Sequence, residues 1–487
     1  MTAVRTAPPA TAHRLPAVVP VAALVCGLVV AVAATLPLGS KAGQALCAGA
    51  FAVAVAGWAL ARPVVAVVAL IVVMFLRLPL SSQIELPFEL WWFVFALVLA
   101  ATALWLDRTP DRLRGTGPVE WAMVLYLMWN VYSMVAPHKF PAIDPLEGAP
   151  LPVAQFIAIG TLLPFALYVV GRYTFDRPAA VRTLLWTVLT LAAYSAAVSI
   201  MPFAGLGRWV WPRYIVTDPE WNGRAVGIFN QPVVNGMVLT LGFATAVVLA
   251  SRRGEPVWRR ALVLLVALSC GAGIYLTHTR AVWLSAVVVL VLGAVLAKGF
   301  RRGFVAALGL VAAAVAVNWS AFTSSDRQAG GVASQSEIQS RLNGIQTALW
   351  ARAREPFEGW GIGRFPAVNR HHHQQWSLEV PWIGGYGEAS HTNEMGLLAE
   401  LGLIGLTLWI AVLLLIAHRL REAYRRLPDH DLCGRPLAVI AIMAMAILVC
   451  TGLTVDLRYF DFPTITTFLI AGVAVGCSDR AQGRHHA

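Results

Sequence analysis

The stretch EMGLLAELGLIGLTLWIAVLLLIA, residues 394–417, decides the fold because it is long and apolar enough to cross a membrane as one helix. Such a helix needs about 20 predominantly apolar residues. Similar runs fill the chain, which is 58% hydrophobic and only 13% charged. A soluble domain averages about 25% charged residues. The sequence therefore predicts an all-α, polytopic membrane protein, with a single integral membrane domain over residues 1–487.

The number of membrane spans follows from the apolar runs. Several of these runs are short, so we expect about 12–14 transmembrane helices. The predicted spans cover residues 16–38, 43–61, 63–79, 87–106, 119–137, 150–171, 183–202, 233–250, 261–276, 281–297, 303–322, 394–417, 436–455 and 462–476.

Lysine and arginine are concentrated in every second loop between these spans. The basic loops hold Arg108/Arg112/Arg114, Arg172/Arg177/Arg182, Arg252/Arg253/Arg259/Arg260, Lys298/Arg301/Arg302 and Arg419/Arg421/Arg425/Arg426/Arg435. Because cytoplasmic loops are the basic ones, this pattern predicts a multi-pass protein of the cytoplasmic (inner) membrane with both termini in the cytoplasm. The net charge of +12 then reflects topology, and no nucleic-acid partner is expected.

Two long segments, residues 203–232 and 323–393, fall on the outer side in this topology. Loops of this length are commonly functional. In the second segment, Ser336 and Gln339 form a capping-box pattern that predicts a helix at about residues 337–353. Its apolar stripe is formed by Ile338, Leu342, Ile345 and Leu349. With this stripe on the membrane or on other spans, Arg341 lies at the boundary.

The same segment contains three consecutive histidines, His371, His372 and His373. A metal site needs further ligands at suitable spacing, and no acid or cysteine completes one here. The sequence therefore predicts no metal site at this tract.

Polar residues also occur at the outer ends of two predicted spans. Arg280 lies in the very short connection THTRA, where it either extends its guanidinium to the membrane surface or faces a water-filled cavity and binds an anion. His391, Asn393 and Glu394 directly precede the apolar run 394–417, and Glu400 lies inside it. Polar groups are costly in a membrane, so those at the end of a span are candidate site residues.

Five motifs in the order in which they occur here resemble the O-antigen ligase and polymerase family of membrane glycosyltransferases. They are R-x-x-G-x-F-N-Q-P at 224–232, T-R-A at 279–281, S-R-L-N-G-I-Q-x-A-L-W at 340–350, P-F-E-G-W-G-I-G-R-F at 356–365 and S-H-T-N-E-M-G-L-L-A-E-L-G-L-I-G at 390–405. The resemblance covers roughly residues 224–406. The first 200 residues are similar only in being consecutive spans.

The resemblance implies an enzyme that needs no cofactor or metal and that faces outward. Its donor would be a glycan on polyprenyl pyrophosphate, and its acceptor a hydroxyl group of a lipid core or of another glycan, with membrane lipids around both. It assigns catalysis to His391, and pyrophosphate binding to Arg280 and Arg341 with a contribution from Arg224. Asn393 departs from the family pattern, in which Asn is often adjacent to the His.

Elementary chemistry fits these assignments. Arginine binds phosphate oxygens with two parallel hydrogen bonds and stays protonated, and a neutral imidazole can accept the proton of an acceptor hydroxyl. Glu394 and Glu400 either orient His391 or serve helix packing.

Two other functions compete with this interpretation. One is a flippase or transporter of lipid-linked oligosaccharides, which would favour paired halves and charges at the membrane midplane. The other is a glycosyltransferase that uses polyprenyl-monophosphate sugars. Such enzymes usually carry acidic residues in the first outer loop, whereas residues 39–42 here are GSKA. Ligase and polymerase are equal alternatives at this stage.

Overall fold

The computed structural model describes residues 56–83, 89–110, 115–145, 148–175, 177–221, 223–252, 255–324, 335–429 and 431–485. The predicted span 16–38, most of the predicted span 43–61 and the loop 39–42 lie outside these residues. The described residues fold into helices joined by turns and loops.

Seven helices of the described residues are long and apolar enough to cross a membrane: Val153–Thr174, Pro178–Ile200, Pro232–Ala250, Val257–Leu276, Asn393–Arg426, Arg435–Gly452 and Asp461–Gln482, the last continuing to His485. Shorter apolar helices are Pro63–Phe75, Trp91–Asp107, Arg280–Leu296 and Arg302–Val317, and Pro118–Val135 follows the same pattern. The prediction of an all-α polytopic membrane protein is confirmed.

Further helices form the connections. They are Arg77–Gln83, Tyr214–Thr217, Trp319–Phe322, Gln335–Arg354 and Phe365–His371, with 3₁₀ turns at Gly207–Trp209, Gly227–Phe229 and Leu457–Tyr459. We call Gln335–Arg354, which falls where the sequence predicted a helix over 337–353, the loop helix.

Contacts divide the chain into two units. One comprises the residues up to Leu70 and Trp92–Arg112, and the other comprises Ile71–Trp91 and Leu113–Ala487. All the candidate site residues belong to the second unit.

The centre of the second unit is built on close helix packing. The last helix runs against Val153–Thr174, and its small residues allow the two backbones to approach each other. A Cβ at Gly472 would lie 2.0 Å from the Tyr168 carbonyl oxygen, and one at Gly476 would lie 2.1 Å from that of Arg172. Small residues at such crossings are typical of transmembrane helix packing, where van der Waals contact replaces the hydrophobic effect.

Several spans differ from their predicted bounds, and in two of them the helix is broken or ends early. The predicted span 394–417 is part of the longer helix Asn393–Arg426, which is broken at Gly402 (φ +64°); we call it the split helix. The helix continues beyond the apolar stretch to Arg426, and its last turn carries Arg425 and Arg426. The predicted span 303–322 ends earlier, at Val317, and a separate turn of helix follows it at Trp319–Phe322.

The long loops of the second unit meet at one end of the bundle, which we call the loop side. There Ile362 N donates to Ser133 Oγ (3.0 Å) and Arg364 Nε donates to the Phe140 carbonyl (2.9 Å). At the opposite end, Arg172 joins Glu120 (2.5 Å) and Asp479 (2.8 Å).

Candidate active site

Arg224 is tied to the turn that precedes Arg280. Its Nε donates to the Thr277 carbonyl (3.0 Å) and its Nη2 donates to Thr279 Oγ1 (2.7 Å). Thr279 is the residue before Arg280, and Arg280 begins the helix Arg280–Leu296. The structure thus brings Arg224 and Arg280, which are 56 positions apart in sequence, to one place on the loop side.

Arg341 of the loop helix lies near Arg280. The pKa of Arg341 is lowered, first because its guanidinium is partly buried and then because the positive charge of Arg280 is close to it. Two like charges that repel each other at a half-buried position gain free energy when an anion binds between them. The arrangement suits a phosphate or pyrophosphate group.

Polar contacts hold the loop helix in this position. The Asn343 amide nitrogen donates to the carbonyls of Pro381 (2.9 Å) and Gly384 (3.0 Å), and its oxygen accepts from Trp376 N (2.8 Å). Asn343 is fully buried. Both amide hydrogens and one of the two oxygen lone pairs therefore have partners. These bonds fix the rotation of the helix about its axis.

The apolar stripe of the loop helix is exposed at its two ends and half-buried at Leu342 and Ile345. Ile338 and Leu349 are 45% and 40% exposed, whereas Ala348 and Ala351 are fully buried in a cluster with Phe365, Val368 and Ala399. Small side chains let the loop helix approach the split helix closely. Ile338 and Leu349 are left at the surface of the protein, where lipid can cover them.

His391 pairs with Glu388. Its Nε2 lies 2.6 Å from Glu388 Oε2, and the two side chains are 36% and 52% exposed. The hydrogen bond from His391 lowers the pKa of Glu388, so the carboxylate is ionised and can only accept. Nε2 is therefore the protonated nitrogen, and Nδ1 is left to accept a proton. The carboxylate that His391 contacts is that of Glu388, whereas Glu394 and Glu400 were the acids considered from the sequence.

Glu400 is a structural anchor in the split helix. Its side chain is 1% exposed, and its carboxylate accepts from Gly363 N (2.8 Å), Phe365 N (2.8 Å) and Arg458 Nη1 (2.5 Å). Arg458 also bonds Asp456 through Nε (2.9 Å). Every one of these partners is part of the protein, so Glu400 fastens the segment 356–365 to the split helix.

The segment 356–365 packs against the split helix at its break at Gly402. Leu403 N donates to the Pro356 carbonyl (2.9 Å), and Gly361 N donates to the Glu400 carbonyl (2.8 Å). A Cβ at Gly402 would lie 2.1 Å from the Phe357 carbonyl oxygen, and the positive φ adds strain for any other residue. Glycine is therefore required at this position.

Asn393 and Glu394 lie at the start of the split helix, apart from His391's carboxylate partner. Asn393 is 1% exposed. Within the part of the chain that the structure describes, the Asn393 amide and Glu394 Oε2 have no partner beyond the interaction of these two side chains with each other. Buried polar atoms with few partners are costly, so this end of the helix has room in its hydrogen bonding for water or another polar group.

The three consecutive histidines have different surroundings. His371 stacks on Phe140 at 4.8 Å, His372 stacks on Trp350 at 4.5 Å, and His373 lies between Asn369 Oδ1 and the Trp382 carbonyl oxygen, each 2.6 Å away. Each of the three imidazole rings thus has its own aromatic or hydrogen-bonding partner.

The sequence interpretation missed the parts played by Glu388 and Arg458. Glu388 is three positions before His391 and could have been found by its proximity. Arg458 lies in a short loop, and nothing in the sequence around it indicated that it pairs with Glu400 and Asp456.

Comparison with known proteins gives one family match. Residues 261–410 match a family model described as O-antigen ligase. That region contains Arg280, Arg341, Glu388 and His391, and Arg224 precedes it. A comparison with curated proteins gives no match. Over residues 261–410 the chain is thus similar to the O-antigen ligase family.

Proposed function

We propose that the protein transfers a glycan from a polyprenyl-pyrophosphate donor to an acceptor hydroxyl on the outer side of the cytoplasmic membrane. The O-antigen ligase match supports a glycan-transferring role of the ligase or polymerase kind. The observation that carries the finer proposal is the approach of Arg280 to Arg341 at a half-buried position.

In the proposed reaction, these two arginines and Arg224 bind the pyrophosphate. Departure of the donor's pyrophosphate leaves negative charge on its oxygens. Guanidinium groups fixed in advance stabilise that charge more than water does, because they need no reorganisation during the reaction. Arg224 is fixed by Thr277 and Thr279, which meets this requirement.

His391 would act as the general base. Its Nδ1 takes the proton of the acceptor hydroxyl, the hydroxyl oxygen bonds to the anomeric carbon of the donor, and the bond from that carbon to the pyrophosphate oxygen breaks with its electron pair. Glu388 holds the ring and stabilises the imidazolium that forms. General base catalysis of this kind typically contributes about 10²–10⁴-fold.

The orientation of the protein in the membrane is inferred from the distribution of its basic loops. The arginines, His391 and the long loops lie together on the loop side, and the basic loops lie at the other ends of the spans. We therefore propose that the loop side faces outward. Reporter fusions after residues 252 and 330 test this; an outer-type reporter that is inactive after residue 330 would reverse the proposed orientation.

Reconstitution tests the function itself. The purified protein in vesicles, given a polyprenyl-pyrophosphate-linked glycan and candidate acceptors, should form a glycoside and release polyprenyl pyrophosphate. If the vesicles instead translocate the donor without forming a glycosidic bond, the proposal is wrong and the protein is a flippase. If the protein accepts only polyprenyl-monophosphate sugars, the pyrophosphate assignment fails.

Gene deletion then separates the two glycan-transferring roles. Surface glycans run on a gel would lack the ladder of long chains but keep single units if the protein is a polymerase. Polymer that accumulates without its anchor would identify a ligase.

A further inference from the structure

A small polar cavity lies beside Arg224. Its volume is about 130 Å³, and Ser199, Asp218, Trp221, Arg224 and Asn230 are among the residues that line it. Clefts that bury a drug-sized ligand measure roughly 300–1,000 Å³, so this cavity suits one small group. Asp218 and Trp221 at its rim are partly exposed, and the cavity can be reached from the surface.

The cavity shares Arg224 with the proposed pyrophosphate site. Arg224 forms part of its wall and bonds Thr277 and Thr279, directly before Arg280. A pyrophosphate held by the arginines has a polyprenyl chain on one side and a sugar on the other. The polyprenyl chain needs an apolar channel, whereas this cavity presents a carboxylate, an amide and a guanidinium. The sugar is the partner that matches.

The side chains of the wall are those that recognise a sugar ring. Asp218 Oδ2 accepts from Asn230 Nδ2 (2.5 Å) and Oδ1 accepts from Glu220 N (3.0 Å), and each oxygen keeps a lone pair for a sugar hydroxyl. Asn230 Oδ1 has no hydrogen-bond partner among the described residues. The Trp221 ring, with the Arg224 guanidinium 5.0 Å from its centroid, offers a flat face for stacking.

The charge of Asp218 adds selectivity. The backbone N–H of Glu220 and then the Asn230 amide lower the pKa of Asp218, so its carboxylate is ionised at neutral pH. A ring that carries its own carboxylate would meet this charge at close range, and like charges in such a site repel. A neutral ring meets only hydrogen-bond partners.

We propose that this cavity binds the sugar that is joined directly to the donor's pyrophosphate, and that it selects rings without a negative charge. The inference rests on the proposed function, since it takes the donor to be a pyrophosphate-linked glycan. It assigns Asp218 and Asn230 to the ring's hydroxyl or amide groups and Trp221 to its apolar face.

Binding measurements with three probes test the proposal. The probes are a short-chain polyprenyl pyrophosphate without sugar, the same compound carrying N-acetylglucosamine, and the same compound carrying glucuronic acid. The purified full-length protein should bind the N-acetylglucosamine probe about tenfold more tightly than the sugar-free probe, as expected for one hydrogen bond to a charged group. It should bind the glucuronic acid probe no more tightly than the sugar-free one.

Variants locate the effect. Asp218→Asn should lose the preference for the neutral ring over the charged one, and Trp221→Ala should lose the tenfold gain while Trp221→Phe keeps most of it. Glu220→Gln removes a neighbouring exposed charge whose side chain is outside the cavity wall, and it should behave as the wild type. Unfolding temperatures must match the wild type for a variant to be compared.

Two outcomes would overturn the inference: a sugar that adds no affinity in the wild type, or ratios that are unchanged in Asp218→Asn and Trp221→Ala. Failure of the proposed function looks different. In that case no donor supports transfer, while the three binding affinities still report whether the sugar enters the cavity.

Discussion

Replacing Glu400 by glutamine should destabilise the protein, and this distinguishes an anchor from a catalytic acid. Glu400 accepts three hydrogen bonds, from Gly363 N, Phe365 N and Arg458 Nη1. Glutamine keeps one acceptor oxygen and presents a donor where the second one stood. One buried backbone N–H or the Arg458 guanidinium then loses its partner.

The size of the effect follows from these contacts. A buried donor left without a partner costs about 1–3 kcal/mol, and a broken buried ion pair costs about 3–5 kcal/mol. Arg458 keeps two bonds to Asp456 (2.9 and 2.5 Å), which places the loss at the low end of the second range. We expect about 3 kcal/mol. At roughly 2 °C per kcal/mol for a large domain, the midpoint of thermal unfolding should fall by on the order of 5 °C.

The assay is thermal unfolding of the purified protein in detergent, followed by tryptophan fluorescence, with transfer activity measured well below the midpoint. Glu355→Gln is the matched control, because Glu355 is exposed in the same segment and its replacement should shift the midpoint by less than ~1 °C. An unchanged midpoint for Glu400→Gln, combined with lost transfer, would refute the anchor role and make Glu400 part of the chemistry.

The remaining predictions concern the site. Arg280→Lys should lower kcat/KM about 10–100-fold, because one ammonium cannot replace a bidentate guanidinium. Arg341→Ala should weaken binding of pyrophosphate, whereas Arg352→Ala on the same helix should not. Normal kinetics in both Arg280→Lys and Arg341→Ala would refute the assignment. His391→Ala should reduce the rate of transfer about 10²–10⁴-fold while donor affinity is retained. Glu388→Gln should reduce the rate of transfer roughly tenfold or more, because the His391 ring is no longer held. Normal turnover of His391→Ala would refute the role of His391 as the base. Chelation by EDTA should leave the rate unchanged, since arginines carry the charge, and activity that stops in EDTA and returns with Mg²⁺ would contradict this mechanism.

The spans were predictable from the sequence because hydrophobicity is a local property. Predicted 233–250 and 183–202 correspond to helices Pro232–Ala250 and Pro178–Ile200, which differ from the prediction by five residues or fewer at each end. A residue inside lipid must be apolar wherever its neighbours in space lie. Length and composition therefore suffice for these elements.

The packing of the loops was not predictable in this way. The turn at residues 355–365 was evident from its glycines, but its docking into the break of the split helix depends on contacts with Glu400 and Gly402. The loop helix gives a second example: its apolar stripe was expected on the membrane or on other spans, whereas the residues that it buries in the protein include Asn343, Ala348 and Ala351. A polar side chain can specify a buried face when its hydrogen bonds are satisfied, and no periodicity in the sequence shows that the partners will be there.

Polar residues at the membrane boundary therefore fall into two classes that the sequence cannot separate. Glu400 and Arg458 bond each other and the backbone, and their charges are neutralised within the protein. Arg280 and Arg341 repel each other, and an anion that binds between them relieves this repulsion. The first arrangement fixes the structure in the absence of substrate. The second gains its full stability from a ligand, and this is why the pair of arginines, rather than the larger buried network, is where the donor should bind.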